Sequence, residues 1–283
     1  MLALCRHIRL VLMLAAVLTA AAPAAVRAQG KLEARYSVTL AGIQIGKGSW
    51  VIDITDTQYM AAANGVTTGL MRAFTVGQGT SAAHGTLQAG QPISSIFAST
   101  IAASHKIDDV SLTVANGIVT ESRLDPPLET EPDRVPITDE HRKGILDPMT
   151  ASLISAPGTG NPLSPEACQH TVSIFDGRLR YDLQFAFKRM DKVKADQGYA
   201  GPVVVCAVYF SPIAGYIPSR AAIKYIAKQR DMEVWLAPIA GTRVLVPFRA
   251  QGPTPIGKFV LEANHFVSAP TPTRASANGL KTQ

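Results

Sequence analysis

An all-β fold is what this sequence predicts: an antiparallel, strongly curved sheet forming a barrel or half-barrel, with one short helix. Three observations carry that expectation. Short runs alternate apolar and polar residues at period two, turn dipeptides such as Asn116-Gly117 and Asp176-Gly177 recur at short intervals, and long helical periodicity is absent. The small residues and glycines between Gly65 and Gly90 also suit strong curvature or close backbone approach.

The first 28 residues have the features of a secretory signal. Arg6 and Arg9 form a positive start, Leu10 to Ala22 is apolar, and Val26-Arg27-Ala28 places small residues for cleavage after Ala28. The apolar run is short for a bilayer span. Cys5 precedes it, so the pattern is not that of lipoprotein processing. Removing 28 of the 283 residues leaves 255, predicted as a single β-barrel-like domain over 29–267 and a disordered tail over 268–283. The cut also removes Arg6, Arg9 and Arg27, so Lys and Arg fall from 27 to 24 against 21 acidic residues. A surplus of three is too small to argue for nucleic acid or an anionic membrane surface.

In order, Arg35 to Leu40 alternates, Ala41-Gly42 turns the chain, and Trp50, Ile52 and Ile54 share one face of the next strand. Gly42, Gly46 and Gly48 are followed by neither Lys-Ser/Thr nor a helix pattern, which excludes a phosphate loop. Gln58–Ala63, Leu70–Leu87 and Ile93–Ile101 continue the strands, and Val110 to Val119 turns through Asn116-Gly117. Asp125 to Pro136 holds four prolines and is a surface loop. Asp147 as N-cap and Pro148 in the first turn predict a helix to Ile154, ended by Pro157-Gly158.

The centre of the chain is predicted to be a hairpin turning at Asp176-Gly177, with Phe175 opposite Arg178, Ile174 opposite Leu179 and Val172 opposite Tyr181. Its apolar face carries Val172, Ile174, Tyr181, Leu183 and Phe185. Its wet face carries Ser173, Phe175, Arg178, Arg180 and Asp182. Cys168 and Cys206 are the cysteines left after cleavage, and in an exported chain they pair by default. Closing that loop stabilises the fold by roughly 4 kcal/mol in the chain-entropy account. Val203 to Phe210 is a near-continuous apolar run, expected to be buried on both faces. Ala221 to Gln229 is taken as a strand, and Met232–Leu236, Thr242–Arg249 and Ile256–Phe266 complete the sheet.

Several segments together resemble a known family. They are Tyr36 to Ile43 with Gly46, the Asp147-Pro148 helix start, Glu233 to Pro238, and Val246-Pro247-Phe248-Arg249. In that order they resemble an exported bacterial family, the domain-of-unknown-function family numbered three-one-zero-eight. Cys168 to Arg180 and Gly201 to Gly215 resemble its cysteine-containing branch, and the likeness spans Leu32 to Phe266. The resemblance implies an exported, curved all-β domain and carries over no catalytic residue.

No catalytic constellation is legible. His84, His105, His141, His170 and His265 show no metal-ligand spacing, and no Gly-x-Ser-x-Gly elbow occurs. Neither a metal nor a cofactor is expected. Trp50, Tyr181, Phe185, Tyr209 and Trp235 are candidates to line an apolar ligand cavity, which a wide curved sheet leaves room for. Arg178 and Arg180 are candidate anion contacts, because guanidinium presents a planar fork to carboxylate or phosphate. Two functions follow as expectations. The first is a non-enzymatic periplasmic domain that binds an apolar envelope molecule or an envelope protein. The second is an envelope hydrolase or anion-binding protein using Asp176, Arg178 and Asp182.

Overall fold

The computed structural model describes residues 29–69, 76–104 and 106–271. The signal segment, residues 70–75 of the expected strand Leu70–Leu87, His105 and the tail beyond 271 lie outside the described residues. Seven strands come first: β1 (Gly30–Leu40), β2 (Ile43–Ile54), β3 (Gln58–Thr67), β4 (Gly77–Gln88), β5 (Gln91–Ala103), β6 (Lys106–Ala115) and β7 (Ile118–Asp125). Each pairs antiparallel with the next. Helix α1 (Pro148–Ala151) and the two-residue β8 (Ile154–Ser155) follow a long loop. Then come β9 (His170–Phe175), β10 (Arg180–Lys194), β11 (Gln197–Gly198), β12 (Ala200–Ala214), α2 (Ala221–Ala227), β13 (Glu233–Pro238), β14 (Val244–Thr254) and β15 (Gly257–Pro270). One sheet of 15 strands results, and its path runs from edge β7 through β1 and β15 to edge β9.

The sheet does not close by strand pairing. Its two edges are instead spanned by the segment Lys143–Leu146. Lys143 bridges to Ile118 of β7, and Leu146 bridges to Ile174 of β9. The Ile145 amide donates to the Gly117 carbonyl (3.3 Å), the Leu146 amide to Ser173 (2.9 Å), and the Phe175 amide to Leu146 (3.0 Å). Both edges thereby lose part of their exposed hydrogen-bonding row.

Turn chemistry explains the hairpins. Asn116 (φ 52) and Gly117 (φ 73) both take positive φ, the two-residue geometry that their sequence predicts. Asp176-Gly177 behaves differently. Arg180 faces Phe175, Tyr181 faces Ile174 and Leu183 faces Val172, so the loop has four residues and the register sits two residues from the expected one. The cause is the Asp176 carboxylate, which accepts from the amides of Arg178 (2.8 Å) and Leu179 (2.7 Å) and fixes a wider turn. A shift of two preserves the faces. The wet face is nevertheless only partly wet, since Phe175 is fully buried in the main core.

Gly177 also closes the seam. At φ 94, a Cβ there would sit 2.7 Å from Val110 and 2.9 Å from Leu124, so the hairpin tip lies directly on β6 and β7. Gly177→Ala is therefore expected to lower stability by about 1–3 kcal/mol, from strain and overpacking together. A urea midpoint unchanged from that of the parent protein would refute this contact.

Further differences have local causes. Ala221 to Gln229 is not a strand: α2 forms there because Ala221, Ala222, Lys224 and Ala227 are strong helix formers. Its Ala222, Tyr225 and Ile226 fall at helical spacing on one side. Helix α1 is a single turn, shorter than expected, and Ile154 leaves it to pair with Leu245 of β14. Ser268, Ala269 and Pro270, expected in the tail, pair with Leu32, Lys31 and Gly30.

The core has two parts. The main cluster gathers Leu32, Ile52, Tyr59, Leu112, Phe175, Phe248 and Phe266 with Met149 of α1. A smaller one holds Cys168, Phe185, Cys206, Val234 and Leu236. Val203 and Val205 enter the first and Val204 and Cys206 the second, so this part of β12 is buried on both faces, as its apolar run requires. Each fully buried valine contributes on the order of 1.5–3 kcal/mol. Cys168 and Cys206 form a disulfide within the smaller cluster, with Cα atoms 5.4 Å apart.

Helix α1 plugs the sheet through Asp147. Its fully buried carboxylate caps the helix by accepting from the amides of Met149 and Thr150 (both 2.9 Å). It also accepts from the hydroxyls of Ser94 on β5 (2.6 Å) and Thr150. Thr150 in turn bonds the Tyr59 hydroxyl of β3. Burial pushes the Asp147 pKa up, against the pull of these donors.

Candidate functional site

Three half-open grooves adjoin the plug among the described residues, and two of them, called here the outer and inner chambers, hold candidate residues. The outer one, about 900 Å³, lies between α2 and the face of β9, β10, β12, β13 and β14 that carries Leu183, Phe185, Val208, Val234 and Ala250. Tyr225 and Ile226 of α2 line it from the other side. Its size lies toward the upper end of typical small-molecule sites. The inner chamber, about 670 Å³, lies beside β2, β3 and β5, against Tyr36, Trp50, Gly65, Phe97 and Met149. Pro148, Ser152, Tyr181 and Pro247 line both, so these four residues form the wall between the chambers.

The five candidate lining residues separate accordingly. Phe185 lines the outer chamber and stacks on His170 with ring centroids 4.7 Å apart. His170, whose pKa burial pushes down, also lines the groove of about 690 Å³ beside Thr171 and Gln169. Trp50 lines the inner chamber and Tyr181 lines both. Burial drives the Tyr181 hydroxyl's pKa upward, so it faces the chambers as a neutral phenol. Trp235 and Tyr209 line neither. Trp235 donates from Nε1 to Asp191 (2.9 Å), with Arg189 and Arg249 at 5.2 and 4.9 Å from its ring. Tyr209 lies under Arg230 at 5.7 Å.

Both candidate anion contacts already have carboxylate partners, although the buried Nε of Arg178 has none among the described residues. Arg178 donates to Asp108 and to the Pro126 carbonyl (2.9 Å), which clasps the hairpin tip to the β6–β7 side of the seam. Arg180 donates to Asp182 (2.6 Å) and Ser173 (2.7 Å). Asp176 is spent on its own turn, and burial raises its pKa. Asp176 and Arg178 both line the inner chamber beside Asp108, whereas Asp182 pairs with Arg180 and does not line it.

Charge in the lining of the outer chamber is confined to Glu233. Glu233 accepts from Lys188, from Arg189 (3.2 and 3.4 Å) and from Gln251 (3.3 Å). Burial works against its charged form, but the bonds and charges of Lys188 and Arg189 outweigh it, so its pKa lies below the usual glutamate range. Among the described residues no group of three or more His, Cys, Asp or Glu side chains is placed to hold a metal ion. No helix among them is long and apolar enough to cross a membrane.

Sequence reasoning missed α2 and with it Tyr225, Ile226 and Met232 as lining residues. The signal was present as the spacing of Ala222, Tyr225 and Ile226, but seven residues are too few to separate helix from strand by periodicity.

The profile of a family described as "Protein of unknown function (DUF3108)" matches residues 35–264. A crystal structure of a beta-barrel-like protein of domain of unknown function DUF1849 from Brucella abortus is similar at 12% identity and a TM-score of 0.47, over 87% of this chain and 100% of that one. No curated protein matches the chain.

Proposed function

The chain belongs to the DUF3108 family, and from that premise we propose that it is a non-enzymatic binding protein of the cell envelope, holding an apolar envelope molecule in the outer chamber. The chamber itself carries this reading. About 900 Å³ of half-open groove lined by Leu183, Phe185, Val208, Val234, Tyr225 and Ile226 is the size and apolar character of a small-molecule site. Its one charged lining group, Glu233, is neutralised by Lys188 and Arg189, so an apolar occupant meets no uncompensated charge. Export to an oxidising compartment, the periplasm, is supported by the pairing of Cys168 with Cys206 and by the signal features of residues 1–28.

Organic extraction of protein purified from its native compartment, followed by mass spectrometry, is expected to yield a stoichiometric apolar molecule. Ala222→Trp, which fills the chamber from exposed α2, should abolish that yield and weaken binding of a hydrophobic fluorophore at least tenfold. Its unfolding midpoint should stay unchanged. A bare parent protein that also fails to bind the fluorophore would sink the proposal.

The hydrolase or anion-site reading has less support, since Arg178 and Arg180 are committed to Asp108 and Asp182. Arg178→Ala is expected to lower stability modestly, by less than about 1 kcal/mol for a partly exposed pair, and to leave fluorophore binding intact. Loss of binding with unchanged stability would revive the anion site.

A further inference from the structure

The hairpin tips at one end of the sheet carry apolar side chains that the core does not use. Leu40 pairs with both Ile43 and Phe259, Gly46 with Thr67, and Ala103 with both Gly77 and Lys106. The β1–β2, β3–β4, β5–β6 and β14–β15 connections therefore fall side by side at one end. Neighbouring tips are in contact. A Cβ on Gly257 would sit 2.6 Å from Ala41, the Thr68 amide donates to the Ile45 carbonyl (2.9 Å), and the Ser104 amide donates to the Val76 carbonyl (2.9 Å). At or beside these turns stand Ile43, Val66, Val76, Ile101, Ile107 and Ile256, with exposures from 39% at Val66 to 73% at Ile256. Turns ordinarily favour polar or small residues. The opposite end follows that rule: Asp56-Thr57, Ala89-Gly90, Asn116-Gly117 and Ala240-Gly241 turn the chain there, and Ile118 is the one exposed large apolar residue beside them among the described residues. Single exposed apolar residues are ordinary, but six on adjoining tips form a patch.

Both chambers reach this end. Pro253, Thr254 and Pro255, next to Ile256, line the outer one, and Ile101 lines the inner one. Exposed Lys47, Lys106 and Lys258 stand among the tips, where long apolar stems carry ammonium groups toward a phosphate layer. We infer that this end docks on a lipid bilayer, with the isoleucine and valine tips entering the acyl boundary and the three lysines meeting lipid phosphates. A bilayer suits separate projecting tips, because fluid lipid closes around each one, whereas a protein partner would need a socket for every tip. Apolar burial, not charge, drives such docking, and the small surplus of basic residues agrees with that. Docking brings the end of the outer chamber at Pro255 to a source of apolar molecules. The inference thus rests on the outer-chamber reading for what is exchanged, while the docking itself does not.

Flotation of the purified protein with phosphatidylcholine vesicles, at low and at high salt, tests this. The protein should float with the vesicles in both, because apolar burial is not screened as charge is. Ile43→Ser, Ile107→Ser and Ile256→Ser together should weaken vesicle binding at least tenfold, the effect of burying one isoleucine side chain. Met60→Ser with Ile96→Ser removes comparably exposed apolar side chains from the side of the same sheet, away from the tips, and should bind vesicles like the parent. Both variants should keep the parent's urea midpoint and bind the fluorophore, and Ile256→Ser alone carries the test if the triple variant fails to fold. No flotation of the parent, flotation abolished at high salt, a tip variant that binds like the parent, or equal losses in the tip and side variants would each overturn docking by this end while the outer chamber stands. Tip-dependent flotation of a protein that binds no fluorophore and yields no extracted molecule would support docking and remove the outer-chamber reading.

Discussion

Asp147→Ala should lower the unfolding free energy by about 3–5 kcal/mol, because it strands several buried donors and leaves a cavity. The amides of Met149 and Thr150 and the hydroxyl of Ser94 all lose their acceptor at once. None can turn to solvent, since Asp147, Thr150 and Ser94 are all buried. With the cap gone, α1 keeps to β5 only the bond from the residue 147 amide to Ser94 Oγ (3.0 Å), and the Thr150 hydroxyl that bonds Tyr59 of β3 loses its own acceptor. Urea denaturation measures the loss, and a value under about 1 kcal/mol, the scale of an ordinary exposed cap, would show that the plug is held otherwise. Asp147→Asn should cost far less, because its amide oxygen still accepts from the two backbone amides while Ser94 and Thr150 can accept from its NH₂.

The two variants also separate by pH. Burial holds the folded-state pKa of Asp147 above its unfolded value. Its contribution to stability is therefore fully present below the unfolded pKa and lost as pH rises through the folded one. Asp147→Asn should remove that loss, gaining on the parent protein as pH climbs through this window. Glu233 and Asp191, both with lowered pKa, act in the opposite sense: their contribution is lost as pH falls.

Loss of the Cys168–Cys206 bond is the second large expected effect. The bond closes a loop of 38 residues, for which the chain-entropy account gives about 4 kcal/mol. Both sulfurs sit in the smaller core cluster with Phe185 and Val234, beside the outer chamber. Paired Cys168→Ser and Cys206→Ser would add the cost of buried hydroxyls, so Cys→Ala at both positions isolates the cross-link. Unfolding of that variant should occur at markedly lower urea than for the oxidised parent. A shift of the parent's midpoint on reduction that matches the double variant would assign the effect to the bond, and no shift in either would refute it.

What the sequence made legible follows from the physics of each element. Period-two alternation and positive-φ turns are local, so β1 to β7 and the Asn116-Gly117 hairpin can be read directly. Of the apolar run expected to be buried on both faces, Val203 to Phe210, only Val203 to Ala207 is, and Val208, Tyr209 and Phe210 are half-buried. The Asp176 loop was misjudged for a reason equally local in origin: its carboxylate competes for the turn's own amides, which a dipeptide rule does not weigh. Of the site, Trp50, Tyr181 and Phe185 were within reach as aromatics on inward faces. Trp235 looked the same in sequence, and only the fold places Asp191 and two arginines around it. The function of Arg178 as a clasp to Asp108 was not legible at all, since those residues lie 70 positions apart and meet only across the seam.

That seam has a consequence for the size of the interior. In a barrel closed by hydrogen-bonded strands, girth is tied to strand number and stagger, so it changes only in whole steps. Here the circumference is completed by the strap Lys143–Leu146 between β7 and β9. Girth is set by the length of a short loop. One residue more or fewer in that strap would widen or narrow the space around α1 while every ladder from β1 to β7 kept its register. The chambers on either side of the plug are thus an adjustable quantity in this architecture, and relatives could be fitted to occupants of different bulk without rebuilding the sheet.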